Sequence, residues 1–427
     1  MRSRFLFWVG LTDVLALVFS MMSASLVVFE KLIPPNSVNG QPVYPMISAL
    51  LVSLVFMSIV TTQMSGHGVP RPTYGRMLAI FVGTAALSSL LIVFARAPYF
   101  SRSFLLITGA GWLLLATGHR ALRRRRPWTE RVALITAEKQ LADDLAESPH
   151  ADVVWVLDPK TDGPLELPDR DVTMAVDLRV VLSERVAQFI SSCDMAGYNI
   201  RPFTTLYEEH TGRVPLVHLA EGWEISAPLL EVAPWLPGKR VFDSVVAALL
   251  IPVWVPLGAL VGLYVRLATS GPAMFRQRRI GHGGEPFVMY KFRTMGEDAE
   301  KDGPRFADPD DRRVIRGGRF LRRSRMDEIP QLWNVLKGEM SLVGPRAEQV
   351  PFVRAFRRQI PFYDHRHLVR PGVTGWAQVN YGYADDQADT IEKLTYDLYY
   401  IKHMSPVMDL RVLWKSIWTV LTGAGAR

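Results

Sequence analysis

Apolar residues gather into four runs in the first third of the chain, Phe5–Phe29, Tyr44–Gln63, Met77–Phe94 and Phe104–Ala121. Each is close to the ~20 residues an α-helix needs to cross a bilayer. Residues 1–126 are therefore expected to form a four-helix transmembrane bundle. A signal peptide does not account for the first run, which is too long for such a core and precedes three more of its kind. Basic residues mark one side of the bundle: Arg2 and Arg4 before the first run, Arg71 and Arg76 in the second connection, and Arg120 with Arg123–Arg126 after the fourth. Positive charge of this sort lies on the cytoplasmic side, against the smaller contrary weight of Arg96 and Arg102. Asp13 is the one acid inside a run, and its place near the inner interface predicts a hydrated anchoring role.

The pattern then changes. From Arg131 to about Leu219, short apolar stretches alternate with helical ones: Val132–Ile135, Lys139–Glu147, Val153–Leu157, Val172–Val176, Ser183–Cys193 and Ile200–Phe203. Such alternation predicts a doubly wound, Rossmann-like α/β domain over residues 127–238. A dinucleotide site needs a glycine-rich turn after the first strand, so that backbone can approach the pyrophosphate. That turn reads Thr136-Ala137-Glu138-Lys139, with no glycine, so the domain is expected to serve packing or regulation and to bind no cofactor.

A fifth apolar run, 241–267, is long enough to span, but its flanks argue against it. Lys239 and Arg240 precede it, Arg266, Arg276, Arg278 and Arg279 follow it, and Pro252 and Pro256 interrupt it. Positive charge at both ends and proline within favour a re-entrant helix, broken at the prolines, that dips into the inner leaflet and returns. Residues 239–427 are then an α-rich domain carried on this segment.

Charge sharpens the division. The formal +8 of the whole chain separates into +10 for residues 1–126, −11 for 127–238 and +9 for 239–427. Nucleic acid is not an expected partner, because the excess charge belongs to a membrane bundle and to one further domain. The −11 also argues against a phosphate ligand on the α/β domain. A single cysteine, Cys193, excludes an internal disulfide.

Candidate chemistry lies in the third region. Lys291-Phe292-Arg293 ends a strand-like run, and a cluster of Arg312, Arg313, Arg316, Arg319, Arg322, Arg323 and Arg325 leads directly to Asp327 and Glu328. Pro330 suits a first helical turn, which places Asp327 at or near the N-cap of a helix running to about Leu336. Capping alone explains such an acid and is worth roughly ~1 kcal/mol. The clustered guanidinium groups add a second reading, since arginines at a helix N-terminus make a phosphate site. An acid held there is expected to have a low pKa and to stay ionised, as a carboxylate nucleophile or a ligand of Mg²⁺ must. A basic stretch near a membrane also attracts anionic lipids, and the bound phosphate can itself be a lipid headgroup.

Other features carry less. Asp308-Pro309-Asp310-Asp311 has the acids of a metal–nucleotide motif but a proline that suggests a turn. His365 and His367 lack partners at zinc spacing. Val407–Leu421 places Leu410, Leu413, Ile417 and Leu421 on one face, an amphipathic helix suited to a membrane surface.

Residues 239–427 resemble the bacterial sugar transferases, or monotopic phosphoglycosyl transferases. The resemblance runs through Lys239-Arg240-Val241-Phe242-Asp243, Gly271-Pro272, Phe275-Arg276-Gln277, Lys291-Phe292-Arg293-Thr294-Met295, Asp327-Glu328-Ile329-Pro330-Gln331-Leu332, Ser341-Leu342-Val343-Gly344-Pro345-Arg346 and Arg370-Pro371-Gly372-Val373-Thr374-Gly375-Trp376. With the bundle and α/β domain ahead of it, the chain is similar to the large, exopolysaccharide-initiating branch. The resemblance implies transfer of a sugar-1-phosphate, glucose-1-phosphate by family frequency, from a UDP-sugar to polyprenyl (undecaprenyl) phosphate at the bacterial inner membrane, on its cytoplasmic face.

By the same resemblance Asp327 is the nucleophile that forms a phosphosugar–aspartyl intermediate, and Glu328 binds Mg²⁺ or handles the acceptor proton. Lys291, Arg293, Arg319, Arg322, Arg323 and Arg346 are the expected phosphate and nucleotide contacts. Three departures stand out: Val255 replaces a common Ser before Pro256, Ala347 replaces a proline after Arg346, and the glycine-rich turn is missing. An inactive scaffold of a polysaccharide assembly is the competing reading, and intact Asp327 and Glu328 speak against it. A processive glycosyltransferase would need acidic metal and acceptor signatures that the sequence lacks. The bundle and the acidic domain are candidate surfaces for homo-oligomer contacts, and the segment Gln378–Lys393 is a candidate for sugar choice.

Overall fold

The computed structural model describes residues 2–63, 74–94, 101–124, 129–161, 165, 169, 171–216, 235–269, 271–296, 313–381 and 387–422. Arg71, Arg96, Arg125, Arg126, Arg312 and the Asp308-Pro309-Asp310-Asp311 turn lie outside them, as do residues 382–386. Helices α1 (Arg2–Phe29), α2 (Tyr44–Gln63), α3 (Tyr74–Phe94) and α4 (Arg102–Arg124) pack as a bundle, α1 chiefly against α4 and α2 against α3. Leu17, Met46, Leu54, Ile80, Phe104 and Trp112 share its interior, while Phe19, Phe56, Val82, Leu106 and Leu114 face outward. An apolar exterior of this kind suits lipid.

Among the described residues four helices are long and apolar enough to cross a membrane: α1, α2, α3 and the helix Ile251–Ala268 of the fifth run. The predicted fourth span, now α4, is less apolar than these because its last turns carry His119 and Arg120. Arg120 is buried inside the bundle. Its two Nη groups each donate to Asp13 at 2.8 Å, both side chains are nearly fully buried, and Trp112 Nε1 donates to the Asp13 carbonyl at 3.0 Å. This corrects the hydrated role expected of Asp13: in apolar surroundings an acid is held by a paired cation, not by water. Asp13→Asn is expected to leave Arg120 buried without its counter-charge, costing about 3 kcal/mol and lowering the melting temperature in detergent. An unchanged melting temperature would refute a structural role for the pair.

The second unit is a four-stranded parallel sheet of β1 (Glu130–Ile135), β2 (Ala151–Leu157), β3 (Thr173–Val176) and β4 (Asn199–Pro202), ordered β2-β1-β3-β4. Three helices accompany it: α5 (Lys139–Ala146), α6 (Glu184–Met195) and α7 (Phe203–Thr211). Alternate residues of β1 enter two separate cores. Val132 and Leu134 meet Leu141 and Leu145 of α5 and Phe203 of α7, whereas Ala133 and Ile135 meet Val186 and Cys193 of α6. Burial on both sides explains the unbroken apolar strands. At the carboxyl ends of β1 and β3, Thr136 donates to Asp177 at 3.1 Å, and Arg179 pairs with Asp177 at 3.1 Å and with Glu138 at 3.2 Å. These side-chain pairs lie at the edge where such sheets commonly receive a ligand.

The third unit opens with α8 (Trp235–Leu249) and α9 (Ile251–Ala268). The break between them falls at Leu250, ahead of both prolines, and not at Pro252 or Pro256 as expected. Pro252 occupies the first turn of α9, where its missing N–H would have had no helical partner, and Pro256 lies inside the helix. Both halves rest on the same body. Helix α8 packs on α11 (Gln331–Lys337), and α9 packs on β6 (Pro286–Phe292), where Gly258 and Gly262 let Phe292 and Ile329 come close. Val253, Leu260, Leu263 and Leu267 of α9 remain exposed.

Strand β6 forms an antiparallel hairpin with β5 (Met274–Ile280), followed by α10 (Gly318–Arg323) and α11. Strands β7 (Ser341–Val343) and β8 (Gly372–Thr374) pair in parallel, bringing the two glycine-bearing motifs together. A Cβ at Gly344 or Gly372 would strike the backbone of the other motif, so only glycine allows this approach. Helices α12 (Val350–Gln359), α13 (Trp376–Asn380), α14 (Gln387–Lys402) and α15 (Pro406–Thr422) complete the unit. On α15, Leu410, Trp414, Ile417 and Trp418 are exposed together. Val214, beyond α7, is buried in the core of this third unit.

Candidate active site

Three elements converge on Asp327 and Glu328. The pair occupies a 3-10 turn, Met326–Glu328, entered through Arg325 in a left-handed conformation with φ of 57°. Helix α11 starts only at Gln331, with Pro330 preceding it and no side-chain cap. The expected N-cap role of Asp327 is thus corrected: the acids sit in a separate turn, and the capping explanation for them falls away. Helix α11 is held at its other end, where Arg240 donates to the Val335 and Leu336 carbonyls at 2.6 and 2.9 Å and Gly338 ends it at φ 87°. Asn334, fully buried, donates to the Val288 carbonyl at 2.7 Å and accepts from the Tyr290 N–H at 3.2 Å. These bonds lock α11 to β6, and so the acid pair to Lys291.

Glu328 is the charge-compensated member. Its Oε1 accepts from Lys291 Nζ at 2.9 Å and lies 3.5 Å from Arg346, and its Oε2 lies 3.5 Å from Arg325. Burial opposes its ionisation, but the charges of Lys291, Arg346 and Arg325 outweigh that and hold the carboxyl well below the usual carboxylate range. Asp327 behaves differently. Burial, and behind it the adjacent Glu328 charge, push its carboxyl up to about 6, against the opposing charges of Lys291, Arg322 and Arg346. The low pKa expected of the acid at this place therefore belongs to Glu328 and not to Asp327, because only Glu328 has the cations in contact.

Of the other expected contacts, Lys291 and Arg346 touch Glu328, and Arg322, donating to Thr294 Oγ1 at 3.0 Å, acts on Asp327 through its charge. Arg293 follows β6, its N–H donating to the Ala273 carbonyl at 2.9 Å, and Arg319 and Arg323 stand exposed on α10. Sequence reasoning left the contact of Arg325 unassigned and missed Arg366 behind Arg346. Arg366 donates to the Arg346 carbonyl at 3.1 Å, to Asp397 at 2.8 Å and to the Tyr363 hydroxyl at 2.7 Å. Nothing in the local pattern marks it, since it stands between two histidines weighed only for zinc.

Among the described residues no group of three or more His, Cys, Asp or Glu side chains is placed to hold a metal. Two adjacent carboxylates still suit Mg²⁺, which commonly takes one or two from the protein and the rest of its oxygens from water and a phosphate substrate. The donor set is that of the turn Met326–Glu328, where Asp327 and Glu328 stand side by side and both are buried.

The family model described as bacterial sugar transferase matches residues 235–423. A UDP-N-acetylgalactosamine-undecaprenyl-phosphate N-acetylgalactosaminephosphotransferase of Aeromonas hydrophila is 44% identical over 243 residues, 56% of this chain and 56% of that protein. A UDP-glucose:undecaprenyl-phosphate glucose-1-phosphate transferase of Xanthomonas campestris pv. campestris is 35% identical over 243 residues, 54% of this chain and 49% of that protein. The chain thus spans about half the length of these two relatives. A third, of the same name, from Caulobacter vibrioides, is 42% identical over 188 residues, 43% of this chain and 70% of that protein.

Proposed function

As the chain belongs to the bacterial sugar transferase family, we propose that it transfers a hexose-1-phosphate from a UDP-sugar to polyprenyl phosphate at a membrane surface. Asp327 attacks the sugar-bearing phosphorus, the bond from that phosphorus to the UMP oxygen breaks, and UMP leaves. An oxygen of the lipid phosphate then attacks the same phosphorus, the bond to Asp327 breaks, and the carboxylate is restored with a sugar diphospholipid as product. Both steps exchange one phosphoryl oxygen for another, so the protein's work is positioning and charge neutralisation.

The division between the two acids is the observation that carries this reading. Glu328 gathers Lys291, Arg346 and Arg325 into one cationic wall. Asp327, beside it, lacks such contacts in the geometry above and carries its charge at a cost, which favours attack on phosphorus. Mg²⁺ would be held by Asp327 and Glu328 and would supply further neutralisation of the diphosphate. Glucose, favoured by family frequency, and N-acetylgalactosamine, named for the Aeromonas hydrophila relative, are the two donors to compare. Membranes holding the chain, given polyprenyl phosphate and radiolabelled UDP-sugars with and without Mg²⁺, are expected to release UMP and to label lipid. No labelled lipid from either donor would refute the activity.

The re-entrant reading of α8 and α9 belongs to the same proposal, with the acids on the cytoplasmic face of a bacterial inner membrane. It is supported by the packing of both halves on one body, since a straight span would carry one end far from it. The native Cys193 is buried. Cysteines placed at Pro237 and Pro272, on either side of the segment, are expected to react with an impermeant thiol reagent in inside-out vesicles and to stay protected in intact spheroplasts. Reaction of one position from each side would establish a span instead.

A further inference from the structure

The acidic α/β unit, which the sequence left without a ligand, grips the third unit along α14. Glu208 of α7, only 4% exposed, accepts from Lys402 Nζ at 2.7 Å and pairs with His403 Nε2 at 3.0 Å. Arg213, just beyond α7, donates to the Tyr396 hydroxyl at 3.0 Å and lies 3.1 Å from Glu392. The Val214 N–H donates to the Thr395 carbonyl at 3.1 Å, and Trp376 Nε1 donates to the Gly212 carbonyl at 2.9 Å. Glu392, Thr395, Tyr396 and Lys402 therefore share one side of α14, with His403 directly beyond its end.

At 100° per residue, Asp397 lies about 100° past Tyr396, on the side of the same helix turned away from this face. There it holds Arg366 at 2.8 Å, and Arg366 in turn donates to the Arg346 carbonyl at 3.1 Å. Arg346 closes the sequence, its guanidinium 3.5 Å from Glu328. The links made by Glu208, Arg213, Asp397, Arg366 and Arg346 are charged or charge-assisted bonds, and Glu208, Arg366 and Asp397 are buried, so their directions are well defined. Displacement of about 1 Å at a catalytic group, caused from a distance, can cost on the order of 100-fold in rate.

We propose that the α/β unit is a positioning clamp for the reaction. Through Glu208 and Arg213 it fixes α14, and through Asp397 and Arg366 it fixes the Arg346 peptide facing Glu328. The inference rests on the transfer reaction proposed for that site, and Glu208, Arg213, Asp397 and Arg366 are positioning residues that touch no substrate.

The test uses the full chain in lipid nanodiscs. Glu208→Gln with Arg213→Ala is expected to lower kcat about ten-fold while the KM for the UDP-sugar changes little, as loss of positioning predicts. Hydrogen exchange in residues 341–348 and 361–369 is expected to quicken in the same variant, while its thermal transition stays cooperative. Because these substitutions can weaken folding, a charge exchange, Glu208→Lys with Lys402→Glu, serves as the second variant and is expected to recover most of the turnover. A folded Glu208→Gln, Arg213→Ala protein with native kcat overturns the clamp, as does lost kcat with unchanged exchange in residues 341–348. If the native chain transfers no sugar phosphate, the proposed function falls, while the exchange comparison still decides whether the α/β unit holds the Arg346 loop.

Discussion

Asp327→Asn is expected to lower transfer by on the order of 10⁴-fold, with the melting temperature within the range of the native protein. The amide keeps the size of the side chain, so the turn Met326–Glu328 and its neighbours have no reason to move. What disappears is the oxygen nucleophile. Removing the charge also relieves its repulsion with Glu328, so stability is expected to hold or rise slightly while chemistry stops. The check is UMP release from UDP-sugar together with a melting curve on the same sample. Residual turnover within ten-fold of native would exclude Asp327 as the attacking group.

Glu328→Gln has a different expected signature. In the native protein, activity needs the ionised form of Asp327, so turnover should rise with pH through a limb near pH 6, where burial and the Glu328 charge have placed that group. Substituting Gln removes one raising influence and frees Lys291 and Arg346 to act on Asp327 alone. The acid limb must then move to lower pH. The rate at neutral pH is expected to fall about 100-fold, because Lys291 and Arg346 lose the anion that orients them. A pH–rate profile of kcat/KM in both proteins decides the matter. A limb that stays in place or moves upward would show that Glu328 does not set the ionisation of Asp327.

Much of this site was legible locally. The acid pair, Lys291 and Arg346 lie in short motifs, and the requirement for glycine in two of them follows from the pairing of β7 with β8. The apolar runs and the alternation of the α/β unit likewise reflect periodicities that one stretch of chain carries by itself. What escaped the sequence depends on distant partners. Asp13 and Arg120 are 107 residues apart, and nothing in either local stretch points to the other. The break at Leu250 comes before Pro252 because a proline is tolerated in a first turn, a matter of register that composition does not show.

Net charge over a whole region also hides what single contacts decide. The two acids of the site share one neighbourhood in sequence, yet contacts from Lys291 and Arg346 separate their ionisation. The acidity of the α/β unit spoke against a phosphate ligand. In the fold, one of its acids, Glu208, serves as a counter-charge for Lys402 and His403 of the basic third unit.

The central claim is a covalent route through Asp327, and the intact mass of the purified chain tests it most directly. Incubated with UDP-sugar and Mg²⁺ but no lipid acceptor, the protein is expected to gain the mass of one hexose phosphate, at Asp327, in step with UMP release. Adding polyprenyl phosphate should remove the adduct. Lipid-linked product formed at full rate with no adduct on the native protein, or the same adduct on Asp327→Asn, would contradict the account.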